Sequence, residues 1–462
     1  MKKSKSYASM LILMTLALFT SCDDYDIIGT DYDEDMQEKP ARESVTPPTI
    51  KAEWDLELIP DVGRQADDIF VYKDLKYNKM FSRTQGWTGG DGGISTPLPD
   101  GSVLWSFNES YFGCVDATKR TRLNPNIPRN TLIIQHATNG VLGETQDDLI
   151  CLADYVNWED ATAENYMWGR TYLRHPNGNK TAEQIAAGEI DNTRIYRVGA
   201  ATAASGKLQM LWFGTMAVTG KSNAITLSSH DLNGSIPTGR YTASLPDYLP
   251  KEGDYMYMED VNHLMISGNT MFGQSILTDG NHIYLYGPSN NSVAVARTTS
   301  LDLNSAWEYY IRDAVTGQMQ WQDTYPSSDE IARSLIMANS YLVNNPCVFK
   351  KGDTYYMLSQ GSGYSTSVYL YRSATPFGPF TDEKLLFNLP SYLDKLGITT
   401  YGQVSKVILH EELSRDGELV ISACTSVDNN DDNYFYAGSA DFSRPWFFRI
   451  YNWESIYSES VE

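Results

Sequence analysis

The chain has 462 residues, with 58 acidic against 36 basic side chains, a formal charge of −22 and only six histidines. Such a field repels a phosphate backbone, so nucleic acid is excluded as a partner. Hydrophobic residues make up 42% of the chain, enough to bury a large core.

Met1 to Lys5 is short and basic, and an apolar run from Met10 to Phe19 leads into Thr20, Ser21 and Cys22. That run is too short for a bilayer span and has the flanks of a secretory signal. Small residues followed by a cysteine resemble a bacterial lipoprotein cleavage site, with Cys22 as the lipidated first residue; the alternative is an ordinary signal with an incidental cysteine. The acidic, proline-containing stretch after Cys22 has no hydrophobic periodicity and reads as a tether. It resembles the surface-export signal of Bacteroidetes lipoproteins. The expected division is a lipoprotein signal peptide at 1–21, a tether at 22–50 and a single domain at 51–462. The expected location is the outer membrane, lipid-anchored and facing outward, with the periplasmic face as the alternative.

Beyond the tether, short β-rich runs recur without a second linker: VLWSF, NTLIIQHA, TRIYRV, KLQMLWFG, HIYLYG, SVAVART, SVYLYRS, ELVISAC and WFFRIYNW among them. Each is bounded by Gly, Asn, Asp, Ser or Pro. PDGS, TDGNH, KKGDT and SRDGE signal hairpins, while TAEQIAAGE and SSDEIARSLIMA are the best short helix candidates. Some 410 residues in one piece favour an architecture that grows by repetition. The expectation is an all-β fold, a five-bladed β-propeller. Cys114, Cys151, Cys347 and Cys424 are widely spaced and read as buried thiols or at most one bridge, with no zinc site.

The stretch GWTGGDGGISTPLPDGSVLWSFNESYF, from Gly86 to Phe112, reads as one hairpin. With Leu98 facing Ser102, opposing positions sum to 200 and Asp91 falls opposite Glu109, with the register uncertain by one residue. Val103, Trp105, Phe107 and Glu109 then share a face. Two carboxylates held close push one pKa up, which is the arrangement acid/base cleavage of a glycosidic bond needs. Gly89, Gly90, Gly92 and Gly93 give the backbone freedom for positive φ and for close approach of a ligand. The alternative is a glycine-rich loop with a turn-capping Asp91 and a solvated Glu109.

The same stretch, followed by RNTLIIQ, resembles the opening of the bacterial endo-D-arabinanase-like family, glycoside hydrolase family 183 and its uncharacterised relatives. Members typically read WTGGDG, then P-L-P-D-G, L-W-x-F-G-D-T-F and N-N-S-L. The likeness is dense over about fifty residues. It is weaker beyond, where MFGQSILTDGNHIYLYG, SATPFGPF and HEELSRDGELVISA keep it up. The resemblance implies a five-bladed propeller with two carboxylates at its mouth, Asp91 and Glu109, and places Asn130 at the second Asn of N-N-S-L. Two departures stand out: the family's Gly-Asp is here Asn108-Glu109, and Arg129 replaces the first Asn. A longer second carboxylate puts the family's own substrate in doubt.

Further candidates are substrate contacts at Trp87, Gly90, Asn108, Asn130, Glu259 and Tyr401. For Glu259, with Asp260 and His263 nearby, a solvated loop is the alternative; for Trp87 it is propeller core, since aromatics fill the space between blades. Asp428 to Asn433 offers oxygen ligands without the spacing of an EF-hand. No cofactor is expected, with a structural calcium left open. No Gly-x-Ser-x-Gly elbow exists. The first reading is a glycoside hydrolase acting on an arabinan-like or other furanose-containing polysaccharide. The second is a non-catalytic surface glycan-binding lipoprotein serving a glycan importer, and an adhesive surface protein is the third.

Overall fold

The computed structural model describes residues 46–60, 68–152, 155–156, 168–169, 172, 194–216, 222–232, 264–265, 270–289, 292–337, 344–361, 365–389, 403–426 and 437–458. All of them belong to one compact unit, Thr46–Glu462. Cys22, the tether up to residue 45, the TAEQIAAGE stretch, Glu259, Asp260, His263, Tyr401 and Asp428 to Asn433 lie outside the described residues.

The chain folds as a five-bladed β-propeller. The first blade orders Gln85–Pro97, Val103–Val115, Thr131–Gln135 and Leu149–Leu152 from the inside outwards. The second is Arg194–Thr202, Lys207–Met216, Ser222–Asp231 and Leu264–Met265. The third runs from Ser275–Asp279 to Met319–Gln322, and the fourth from Asn344–Lys351 to Thr381–Asn388. The fifth combines the C-terminal strands Gln403–Leu409, Glu418–Ser426 and Pro445–Tyr451 with the N-terminal strands Phe70–Asp74 and Leu56–Leu58. The two ends of the chain thus close one sheet.

Five innermost strands pack side by side around the axis, each touching the next until Gln403–Leu409 meets Gln85–Pro97. Apolar clusters fill the gaps between neighbouring blades. Trp87, Trp105, Phe107 and Phe112 of the first blade meet Val420 and Phe447 of the fifth, with Tyr77, Met80 and Phe81 of the short helix Leu75–Met80 wedged beside them. Leu132 and Ile134 meet Val198 and Trp212 across the next gap. Equivalent clusters close the remaining interfaces. Central strands such as Val103–Val115 and Pro445–Tyr451 are buried on both faces and read as nearly continuous apolar runs, while outer strands such as Thr381–Asn388 alternate.

Closure of the ring is also ionic. Arg449 Nε donates to Asp74 Oδ2 at 2.6 Å, its Nη1 pairs with Glu418, and Arg415 Nε reaches the same Glu418 at 2.9 Å. Asp74 Oδ1 meanwhile accepts from Tyr77 N and caps the helix. Removing Arg449 would leave buried Asp74 without its ion-pair partner and Glu418 with Arg415 alone, a loss of about 3–5 kcal/mol.

All four expected hairpins are present. Gly101, Gly280, Gly352 and Gly417 sit at their turns with positive φ, the conformation that favours glycine. The SSDEIARSLIMA stretch makes only a short helix, Ser328–Ala332, opened by a Ser327–Glu330 capping box. The four cysteines of the domain are free thiols, as their spacing suggested.

Candidate functional site at the axial channel

The hairpin register follows the sum of 200 from Pro97↔Val103 back to Ile94↔Ser106, and again at Gly90↔Ser110 and Gly89↔Tyr111. Between them, Gly92 faces Phe107. Asn108 and Glu109 therefore stand opposite the single residue Asp91, and Gly93 is the compensating extra residue on the other strand. Two opposed bulges cancel. Gly92 and Gly93, at φ 93° and 108°, supply the backbone for them.

At this distortion Asp91 leaves the ladder and turns towards the fifth blade. Lys406 Nζ lies 3.1 Å from Asp91 Oδ2, and Ser405 Oγ donates to Oδ1 at 3.1 Å. The Asp91 side chain is 27% exposed. Burial alone would raise its carboxyl. The Lys406 charge and hydrogen bond, the Ser405 hydroxyl and the Arg197 charge from the second blade outweigh burial and hold it below 3.8. Of the two carboxyls expected to push one another apart, Asp91 is thus not the raised one, because its near neighbour is a cation. Glu109 takes a different partner: Arg129 Nη1 donates to its Oε1 at 3.4 Å, with the two side chains 52% and 39% exposed.

Three proposed contacts lie inside the fold. Trp87 is fully buried against Phe81 and Phe107, the latter at 4.8 Å between ring centres, so it cannot stack on a ligand. Asn108 and Asn130 are buried as well. Asn108 Oδ1 accepts from Val198 N at 2.8 Å, and Asn130 Nδ2 donates to Tyr196 O at 2.9 Å. They staple the first blade to the strand that carries Arg197, so they position the mouth without lining it. At Gly90 the close approach is made by the chain itself, since a Cβ there would lie 2.6 Å from Ser110 Oγ and 3.0 Å from Phe107 Cβ.

The innermost strands run in the same direction around the axis, as the contacts Asp91–Ser405 and Ser95–His410 show. From Lys406 a cavity of about 720 Å³ follows the axis, walled by residues of all five blades. Its far end includes Pro97, Pro99, Ala204, Thr278 and Glu411, which are exposed. Here Ser95 Oγ lies 2.6 Å from His410 Nδ1, and His410 Nε2 lies 2.8 Å from Ser422 Oγ. Burial, helped by the charge of Arg449, pushes His410 down to about 3, so it stays neutral. Burial pushes Glu412 up to about 7, against a lowering hydrogen bond from Ser95 and with a raising charge from Glu411.

Lys406, Ser405, Arg197, His410 and Glu412 carried no signal in the sequence beyond the HEEL motif, which holds the last two. Asp91 and Ser95 are four residues apart on one strand, about 13 Å. Asp91 and Glu412 thus meet the channel at different levels, Asp91 beside Lys406 and Glu412 beside Ser95. Among the described residues, no group of three or more His, Cys, Asp and Glu side chains could hold a metal ion.

Fold and mouth together define a five-bladed propeller with an ionised carboxylate at one end of its axis. Residues 74–453 match the family described as "Domain of unknown function (DUF5005)", and the chain belongs to that family. It is similar to a solved structure described as "a putative hydrolase from Bacteroides ovatus ATCC 8483", with 41% identity and a TM-score of 0.78, covering 90% of this chain and 99% of that one. Alignment to the "GH43, Beta 1,3 Galactosidase, BT0265" gives 9% identity and a TM-score of 0.39 over 78% of this chain and 56% of that one. For the "Bacteroides ovatus Xyloglucan PUL GH43B" the values are 12% and 0.37, over 75% and 51%. At such values neither bears on activity. No curated protein matches the chain.

Proposed function

We propose that the protein is a glycoside hydrolase acting on an arabinan-like or other furanose-containing polysaccharide, displayed on the outer membrane through a lipid on Cys22. The observation that carries the reading is Asp91, a carboxylate kept charged by Lys406 at the mouth of a propeller axis and facing Asn108-Glu109 across paired bulges. An ionised Asp91 serves as base towards water or as nucleophile towards the anomeric carbon. Glu109, on the neighbouring strand, gives its proton to the leaving oxygen. The hydrolase description of the 41%-identical relative supports the reaction class. The resemblance of residues 86–112 supports the furanose preference.

A second reading is a glycan-binding lipoprotein that hands oligosaccharides to an importer. It is favoured by the ion pairs themselves, since Lys406 and Arg129 already occupy both carboxylates. Product release from a panel of furanose and pyranose polysaccharides, run on wild type, Asp91→Asn and Glu109→Gln, separates the two. The hydrolase reading expects oligosaccharides from wild type and a loss of about 10²–10⁴-fold in each variant. Retention of one glycan by all three proteins, with nothing cut, establishes the binder instead.

A further inference from the structure

Arg197 stands on the innermost strand of the second blade, and its main chain is fixed on both sides by buried amides of the first. Asn130 Nδ2 donates to Tyr196 O at 2.9 Å, and Asn108 Oδ1 accepts from Val198 N at 2.8 Å. Asn108 faces Asp91 across the paired bulges, so these bonds hold Arg197 at the level of Asp91. Tyr196 and Val198 are buried in the apolar gap between the two blades, and alternation along the strand turns Arg197 out of that gap. Arg197 is accordingly exposed.

The other two cations of the mouth are committed. Lys406 Nζ pairs with Asp91 at 3.1 Å, and Arg129 Nη1 with Glu109 at 3.4 Å. The Arg197 guanidinium has no hydrogen-bond or ion-pair partner among the described residues. Its charge does act on Asp91, but less than Lys406 or Ser405, which touch that carboxylate directly. Asp91 is therefore already served, and the five N–H donors of Arg197 remain open to a ligand. In a chain of formal charge −22, a cation fixed at a cleft and left unpaired suits an anion. A planar carboxylate fits best, because it takes two parallel hydrogen bonds from the guanidinium fork.

We propose that Arg197 is a specificity-determining residue of the Asp91 cleft and binds the carboxylate of a uronic acid unit in the polysaccharide. The inference rests on the glycan reading above and narrows the substrate class of that same site to an acidic, furanose-containing glycan. Asp91 and Glu109 keep the roles already given, and Arg197 grips a neighbouring sugar of the same glycan.

The test is affinity electrophoresis of full-length protein through gels holding an arabinose-rich polysaccharide that carries glucuronic acid, or the same polymer after reduction of its carboxyls to alcohols. Wild type, Arg197→Met, Arg197→Lys and Arg333→Met are compared, with thermal melting as the check on folding. Arg333→Met removes an equal charge beside the outer strand Trp307–Arg312 of the third blade. Wild type and Arg333→Met are expected to hold the acidic polymer about tenfold or more tighter than the reduced one. Arg197→Met should hold the two alike, and Arg197→Lys, a charge without the fork, should show a smaller preference than wild type. If Arg197→Met fails to fold, Arg197→Lys decides by that smaller preference. The proposal is overturned if wild type holds both polymers equally, if the Arg197 variants keep the full preference, or if Arg333→Met loses it as well. Retention of neither polymer would overturn the glycan reading with it, whereas equal retention removes the acidic unit alone.

Discussion

The innermost strand Gln85–Pro97 carries Asp91 and Ser95 four residues apart, and the two ends of the channel treat a carboxyl in opposite ways. At the upper end, Lys406, Ser405 and Arg197 converge on Asp91 and keep it charged. At the lower end, Glu412 meets Ser95 and the charge of Glu411, with no cation on it among the described residues, and burial drives it towards the neutral acid. Both carboxyls sit against the same axis. What separates them is pairing: the Lys406 and Arg197 charges and the Ser405 hydroxyl together reverse the sign that burial alone would give.

The largest effect expected from breaking this contrast is catalytic. Asp91→Asn keeps the shape and removes the charge, and product release should fall by about 10²–10⁴-fold. Lys406→Met comes next. It leaves Asp91 partly buried without its cation, costing about 2 kcal/mol in urea unfolding at neutral pH. In wild type the lowered carboxyl contributes stability that is present above 3.8 and lost as pH falls through its folded value. The gap between wild type and Lys406→Met should therefore narrow in acid.

Glu412→Gln should act in the other direction. A raised carboxyl contributes stability below its unfolded value of 4.5 and loses it as pH rises through about 7. The variant is thus expected to melt higher than wild type above pH 7, by a gain on the order of 1 kcal/mol, and to show little difference near pH 4. The smallest effect belongs to Arg129→Ala. Its pair with Glu109 is exposed, so stability should change by less than about 0.5 kcal/mol.

Much of this was legible in the residues. The hairpin sum of 200 on either side of the paired bulges, the glycine turns and the shared face of Val103, Trp105 and Phe107 are local patterns and survive folding; the slip that sets Asn108 and Glu109 both opposite Asp91 was not visible in them. Trp87 was misjudged because proximity to a glycine loop says nothing about which face a strand residue takes; its alternation puts it into the interblade core. The partners of Asp91 could not be read. Ser405 is 314 positions away, and a propeller brings its axis together only when the last blade closes against the first.

The central claim is that Asp91 works as an ionised group under the control of Lys406. The most direct test is the pH profile of product release on the best polysaccharide of the panel, measured for wild type and Lys406→Met. The acid limb of wild type is expected below the usual carboxylate range and should move upward in the variant, towards or above 3.8. An acid limb at the same pH in both proteins would contradict the account.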